Sequence, residues 1–361
     1  MTKPKIIAFY LPQFYPTPEN DEWWGKGFTE WTNVGRAKPL FKGHDQPRVP
    51  ADLGYYDLRI PEVREQQAAM AKEAGIEGFC YWHYWFAGRR LLDRVFSEVV
   101  SSGSPDFPFC LCWANHSWKR KTWDPTLPDT MLIEQTYPGE KDYEEHFYSM
   151  LPAFLDRRYI KVDGKLLFGI FEPGAIPDMK GMANIWNRLA HKNNLPGFCF
   201  FGFAQGSGSL ESAKREGIDK IVYDAMFDAV YVYNHLRDTR LKAKLRSLLN
   251  RPNPLKYDVY AKVAIHKFLQ YPDTIPCIDP NFDHSPRSGS KGTIIVDSTP
   301  QKWGGLLDET IKKIDDSQET EKLLFIKAWN EWGEGNYLEP DLNFGLDYLT
   351  ETKRYLCNQD L

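Results

Sequence analysis

The chain has 361 residues, 42 % of them apolar, and a formal net charge of −4. That length suits a large barrel of alternating strands and helices built as one unit, and the nearly balanced charge offers no footing for a nucleic acid or an anionic membrane surface. No run approaches the roughly 20 apolar residues of a membrane span, so the composition excludes those classes and leaves one excess to explain, an aromatic content of 15 %.

Lys5 to Leu11 reads as the first strand, stopped by Pro12, because proline removes a ladder donor. A long, aromatic-rich connection follows, with Trp23, Trp24, Phe28, Glu30 and Trp31. Ile60 to Ala74 reads as a helix with Pro61 in its first turn and Gly75 beyond its end. Ile76 to Phe86 is the second strand, and Leu91 to Ser101 a helix with Leu92, Val95, Phe96 and Val99 on one face. Phe107 to Trp113 is the third strand. Tyr143 to Asp156 has a helical pattern that Pro152 should break or kink. Leu166 to Phe171, Phe198 to Ala204 and Ile218 to Tyr223 are strands four to six, with helices at Met179 to Asn193 and Leu210 to Gly217. A basic helical stretch, Arg237 to Arg251, precedes a second helical run from Tyr257; its cationic face reads as solvated. Thr274 to Ile278 is the seventh strand, Pro300 to Asp316 a helix, Leu323 to Ala328 the eighth strand, and Phe344 to Cys357 can supply the last helix.

Eight short apolar strands, mostly followed by helices, predict a (β/α)8 TIM barrel, a single domain over 1–361 with long loops after the strands. A doubly wound open sheet is the competing architecture, and it lacks a GxGxxG turn or a phosphate loop. Polar residues collect just after the strands, at Gln13, His83, Asn115, Glu172, Gln205, Asp224, Asp279 and Glu331. In a barrel these share the rim where barrel enzymes keep their sites. Five of six cysteines fall in apolar runs without metal-type spacing, which suggests buried thiols in a reducing compartment. The amino terminus lacks a signal-peptide layout, so a cytoplasmic location is expected.

The best chemical pair is Glu331 and Glu334, in Trp329-Asn-Glu-Trp-Gly-Glu-Gly335 at the end of the eighth strand. Breaking a glycosidic bond needs a proton for the leaving oxygen and a base or nucleophile on the other side. Two carboxyls in different environments divide those roles. A helical turn after the strand would put both on one face. Aromatic faces beside hydrogen-bonding groups suit sugar rings, although the same rings suit packing at a barrel mouth.

This motif resembles that of glycoside hydrolase family 99, the endo-acting α-mannosidases and α-mannanases. It is more similar still to that of the bacterial WbsX-type proteins of polysaccharide gene clusters, often labelled glycosyltransferases. Other matching stretches are Ala8 to Phe14, Gly27 to Asn33, Phe79 to Trp85, Trp113 to His116 and Asp279 to Ser285. Similarity to the WbsX type covers nearly the whole chain; similarity to the hydrolases is confined mainly to the barrel and the two-Glu motif. The resemblance implies a (β/α)8 barrel with no metal or organic cofactor in its chemistry. It implies that Glu331 is the base acting on the sugar's own 2-hydroxyl, through a 1,2-anhydro sugar with net retention, and that Glu334 is the general acid/base. The chain departs from the hydrolases at Gly333, where they tend to carry a larger residue such as His.

Further candidates for sugar contact are Tyr10, Gln13, Glu30, Trp31, His83, Tyr84, Trp113, Asn115, His116, Asp279, Asn281, Asn330 and Trp332. Packing or rim hydrogen bonding is the alternative role for each. Asp279 to His284 lacks the Gly and distal Glu of a calcium loop, so no metal is expected. The expected partner is an oligosaccharide or polysaccharide. Three functions fit: a retaining glycoside hydrolase, a glycosyltransferase of surface-polysaccharide assembly, and a non-catalytic glycan-binding protein.

Overall fold

A computed structural model describes residues 4–120, 129–235, 251–316 and 321–357. Eight parallel strands close into a barrel: β1 (Lys5–Tyr10), β2 (Gly78–Phe86), β3 (Phe109–Trp113), β4 (Lys165–Ile170), β5 (Phe198–Gln205), β6 (Lys220–Asp224), β7 (Ile275–Ile278) and β8 (Leu323–Ile326). Each pairs with its neighbour in chain order. The ring shuts where β1 meets β8, with Lys5 opposite Leu323 and Ala8 opposite Ile326. Every one of the eight expected strands is present. Their ends move by one or two residues, mainly because proline and the first loop residues fall outside the ladder.

The strands read as unbroken apolar runs because both faces are covered, one by the barrel interior and one by helices. All nine residues of β2 are buried. The interior is filled largely by aromatic rings: Phe9 stacks on Trp82 at 4.6 Å, and Phe325 lies 5.3 Å from Phe9 and 5.1 Å from Phe201. Gly169 is required by this filling, since a Cβ there would strike the Phe201 ring and lie 2.7 Å from Cys112 Sγ. Cys80, Cys110, Cys112, Cys199 and Cys277 are buried free thiols.

Helices cover the outside at Pro61–Glu73, Arg94–Ser102, Glu140–Phe154, Met179–Lys192, Tyr257–Gln270, Pro300–Asp315 and Asp347–Cys357. Pro152 does not end its helix, which runs two residues further. The helix expected over 210–217 shrinks to Leu210–Ala213, and Gly217 beyond it has a positive φ of 99°. The basic stretch expected over 237–251 lies, through residue 250, outside the described residues. Among the described residues, no helix is long and apolar enough to cross a membrane.

The loops at the carboxyl ends of the strands carry more structure than the sequence suggested. The connection after β1 contains two helices, Pro18–Trp24 and Glu30–Arg36. Thr17 caps the first by accepting from Asn20 N. A short ribbon, Trp118–Arg120 with Thr130–Ile133, rises after β3. After β8 the chain folds into another, Asn330–Glu331 with Asn336–Tyr337.

Candidate active site

The last ribbon holds the two glutamates. Its strands are joined by a single 3-10 turn, Trp332–Glu334, and by Gly335 in the left-handed region. Trp332 stacks on Tyr337 at 3.7 Å and 12°. Its indole N–H donates to buried Glu339 at 2.6 Å. The Asn330 side chain clasps the end of β1: Leu11 N donates to its Oδ1 at 2.7 Å and its Nδ2 donates to Leu11 O at 3.1 Å. The pair therefore sits on a braced element, which suits chemistry that depends on fixed geometry.

The two carboxyls have opposite surroundings. Glu331 is 4 % exposed and accepts from the Trp82 indole N–H at 2.7 Å. Burial, then the negative charge of Glu334, push its carboxyl up to about 7, against the pull of Lys327, Arg287 and Trp82. Burial also opposes ionisation of Glu334. There the cations of Arg287, Lys327 and His284 outweigh it, and the carboxyl falls to about 2. Arg287 Nη1 donates to Glu334 Oε1 at 2.5 Å, His284 Nε2 lies 3.7 Å away, and Lys327 Nζ is 4.0 Å from Oε2.

Lys327 comes off the end of β8 and is itself buried, 3.7 Å from Asp224 Oδ2. Burial raises the carboxyls of Asp224 and Asp279, while the Asp and Glu charges around Lys327 hold its ammonium in the charged form. Arg287 reaches in from the short helix Ser285–Ser288 after β7. It is shared, since its Nε also donates to Glu30 Oε2 at 3.1 Å.

Glu334, Arg287 and Lys327 line a cleft of about 620 Å³ over the barrel mouth. That is within the range of small-molecule sites. Its walls include Trp24, Phe28, Trp82, Tyr84, Trp118 and Phe171, with Gln13, Glu30, His116 and Gln205 between them. Among the described residues, no group of three or more His, Cys, Asp or Glu is placed to hold a metal ion.

A family model described as Glycosyltransferase WbsX matches residues 6–352. The chain belongs to the WbsX family. The uncharacterized protein WxcX of Xanthomonas campestris pv. campestris is 35 % identical over 358 residues, which is 97 % of this chain and 49 % of that relative. The chain thus spans about half the length of the curated relatives it matches. Among solved structures, one described as a glycoside hydrolase-like protein aligns with a TM-score of 0.62 at 12 % identity, covering 99 % of this chain and 94 % of the other. The family 99 endo-α-mannosidase of Bacteroides thetaiotaomicron, in complex with bis-tris-propane, aligns with a TM-score of 0.58 at 14 % identity, covering 98 % and 96 %. These structures share the barrel fold with the WbsX-family chain.

Of the sugar-contact candidates, this WbsX-family barrel brings Gln13, Glu30, Tyr84 and His116 to the cleft beside Glu334. Glu331 lies beneath, joined to the cleft through Trp82. The others point elsewhere. Alternation along β2 separates Trp82 and Tyr84 from His83 and Trp85. His83 is buried against His146, Nε2 to Nε2 at 2.7 Å, and Trp113 is buried with its indole donating to Trp85 O at 3.1 Å. Tyr10 donates to Gln67 at 2.7 Å, and Trp31 to Tyr56 O at 2.7 Å. Asn115 ties Tyr137 to the Glu172 backbone. Asp279 accepts from Tyr260 and Asn336, and Asn281 is bonded to the Tyr337 backbone. Asn330 and Trp332 brace the ribbon. These residues hold the rim together by packing and hydrogen bonding.

Arg287, Lys327 and Trp82 were not singled out from the sequence. Lys327 carried a signal: it is the one charged residue in the apolar run Leu323 to Trp329. Arg287 carried none, because its partners come from residues 30 and 334.

Proposed function

We infer that this chain is a carbohydrate-active enzyme that breaks a glycosidic bond with Glu331 and Glu334, acting as a retaining glycoside hydrolase on an oligosaccharide or polysaccharide. One observation carries the reading: two neighbouring carboxyls with opposite surroundings meet at an aromatic-walled cleft, Glu334 in its lining and Glu331 buried behind it on the lining Trp82. At neutral pH Glu331 retains much of its proton and Glu334 is an anion, so one group is ready to donate and the other to attack or accept. The aromatic walls offer faces to sugar rings, and Gln13, His116 and Gln205 offer edges to hydroxyls.

The resemblance to family 99 assigns the base to Glu331 and the acid/base to Glu334. The resting charges favour the reverse. For the family 99 order to operate, bound substrate must move the proton across to Glu334. The leaving group separates these orders, because a proton donor is dispensable when the leaving group is activated. Glu331→Gln and Glu334→Gln should both abolish cleavage of a natural oligosaccharide, and the variant lacking the donor should retain activity on an activated aryl glycoside. Undiminished turnover of a true substrate by both variants would overturn the assignment of the pair.

A second reading, transfer of a sugar, is favoured by the description of the family model. A sugar hydroxyl and water compete for the same reactive centre, so a two-Glu barrel serves either outcome. Release of nucleotide from a panel of nucleotide sugars would support a nucleotide-dependent transferase. Cleavage of oligosaccharides without nucleotide supports the hydrolase. Binding without turnover, unchanged in both Gln variants, would leave a glycan-binding protein.

A further inference from the structure

Gly333 lies between the two glutamates, and its φ is ordinary, so conformational freedom does not demand a glycine there. Space does. A Cβ on residue 333 would overlap Glu30 Oε2 and lie 2.9 Å from Arg287 Nε. Glu30 cannot simply swing aside, because its side chain is 3 % exposed and is held by both Arg287 Nη2 at 3.0 Å and Nε at 3.1 Å. The volume a side chain would take at 333 is thus occupied by an ion pair reaching in from two other loops. The far side of the same guanidinium grips Glu334 at 2.5 Å.

We propose that Arg287, braced by Glu30 in the space left open at Gly333, is a positioning residue that fixes the Glu334 carboxyl and favours its charged form. The arrangement is directional. Arg287 bonds Glu334 and Glu30 but makes no hydrogen bond to Glu331, whose donor is the neutral Trp82. Other charged and titratable groups facing Glu334 are Lys327 and His284, with His116 and Tyr84 further out and Glu331 on its own turn. Of these, Arg287 alone combines a direct hydrogen bond with a permanent charge. Glu30 sets where that charge sits, as two carboxylates fix one planar guanidinium.

The proposal uses the catalytic reading only for its effect on turnover, so it is tested first without substrate. Protein labelled with 13C at the Glu side-chain carboxyls is titrated by NMR, with Glu331→Gln and Glu334→Gln assigning the two signals. In the wild type the Glu331 signal should titrate near 7, while Glu334 stays ionised to the acid limit of the folded protein. In Arg287→Gln the Glu334 midpoint should rise by one to three units, roughly what a neighbouring Arg contributes. Arg287→Lys keeps a charge and should restore most of the shift. This separates electrostatics from simple misfolding. Gly333→Ala should displace Glu30 and Arg287 and move Glu334 in the same direction as Arg287→Gln. A Glu334 midpoint in the ordinary carboxylate range in the wild type, or one unmoved in folded Arg287→Gln, overturns the proposal. If the titrations come out as stated but no oligosaccharide is cleaved, the catalytic reading fails and the charge assignment stands.

Discussion

The hydrogen bond from Trp82 to Glu331 can be removed with little change in shape. Trp82→Phe keeps an aromatic ring against Phe9, which stacks on Trp82 at 4.6 Å, and beside Phe171 at 5.6 Å. It deletes the N–H that reaches Glu331 Oε1 at 2.7 Å. A buried hydrogen bond to a charged group is worth about 1.5–3 kcal/mol. The bond favours the carboxylate over the neutral acid, so its loss should raise the midpoint by about one to two units at 1.36 kcal/mol per unit. Starting from about 7, Glu331 would then titrate at about 8–9. At neutral pH its ionised fraction would fall from about one half to between about a tenth and a hundredth. The carboxyl NMR titration reads this directly. The pH–rate profile reads it a second way. If Glu331 is the proton donor, the alkaline limb moves up with the midpoint. If it is the base, activity at neutral pH falls roughly five- to fiftyfold with the ionised fraction. A midpoint that stays in place in the folded variant would refute the argument that this indole holds down the Glu331 titration.

Two predictions concern stability. Glu339 accepts from Trp332, Gln67 and Tyr56, and burial outweighs those donors to raise it from 4.5 to about 7. Its folded value lies above its unfolded one, so the stability it contributes is full below about 4.5 and is lost as pH rises through 7. Glu339→Gln should remove about 3 kcal/mol of that pH dependence, measured by urea unfolding at several pH values; parallel curves for variant and wild type would refute it. The neutral His83–His146 pair works in the other direction. Burial lowers both, with Arg90 adding to each and His83 adding to His146. Stability should therefore fall as pH drops below 6.5, by up to about 1.4 kcal/mol per pH unit for each imidazole. His146→Phe, which retains a ring against Trp85, should shallow that slope, and chemical denaturation across the same range would detect it.

The barrel was legible because each of its strands is a local pattern, an apolar run bounded by turn residues and followed by helical periodicity. The Glu pair was legible because two acids at the end of a buried strand are costly without a purpose. Much of what governs that pair was not. Arg287 acquires its meaning from Glu30, 257 residues away. Glu331 finds its hydrogen-bond donor 249 residues away in Trp82. The choice of His83 over Trp82 in one strand turned on which alternate face met the cleft. That is a question of barrel geometry that an aromatic-rich run of nine residues does not answer. Gly333 was visible as a departure from the hydrolase motif, but its reason lay in the bulk of side chains from two distant loops.

The seam between β1 and β8 has a consequence for how the protein comes into being. Trp24, Phe28 and Glu30 hang from the first strand, whereas Glu331 and Glu334 follow the last. Asn330 stitches the two across 319 residues of chain. On the ribosome, β1 waits with an open edge until β8 emerges, since a contact of such long sequence separation closes late. The walls of the cleft and its acids are therefore strangers until synthesis of the barrel is finished. A half-made chain lacks both acids, so its cleft is built only when the ring has shut.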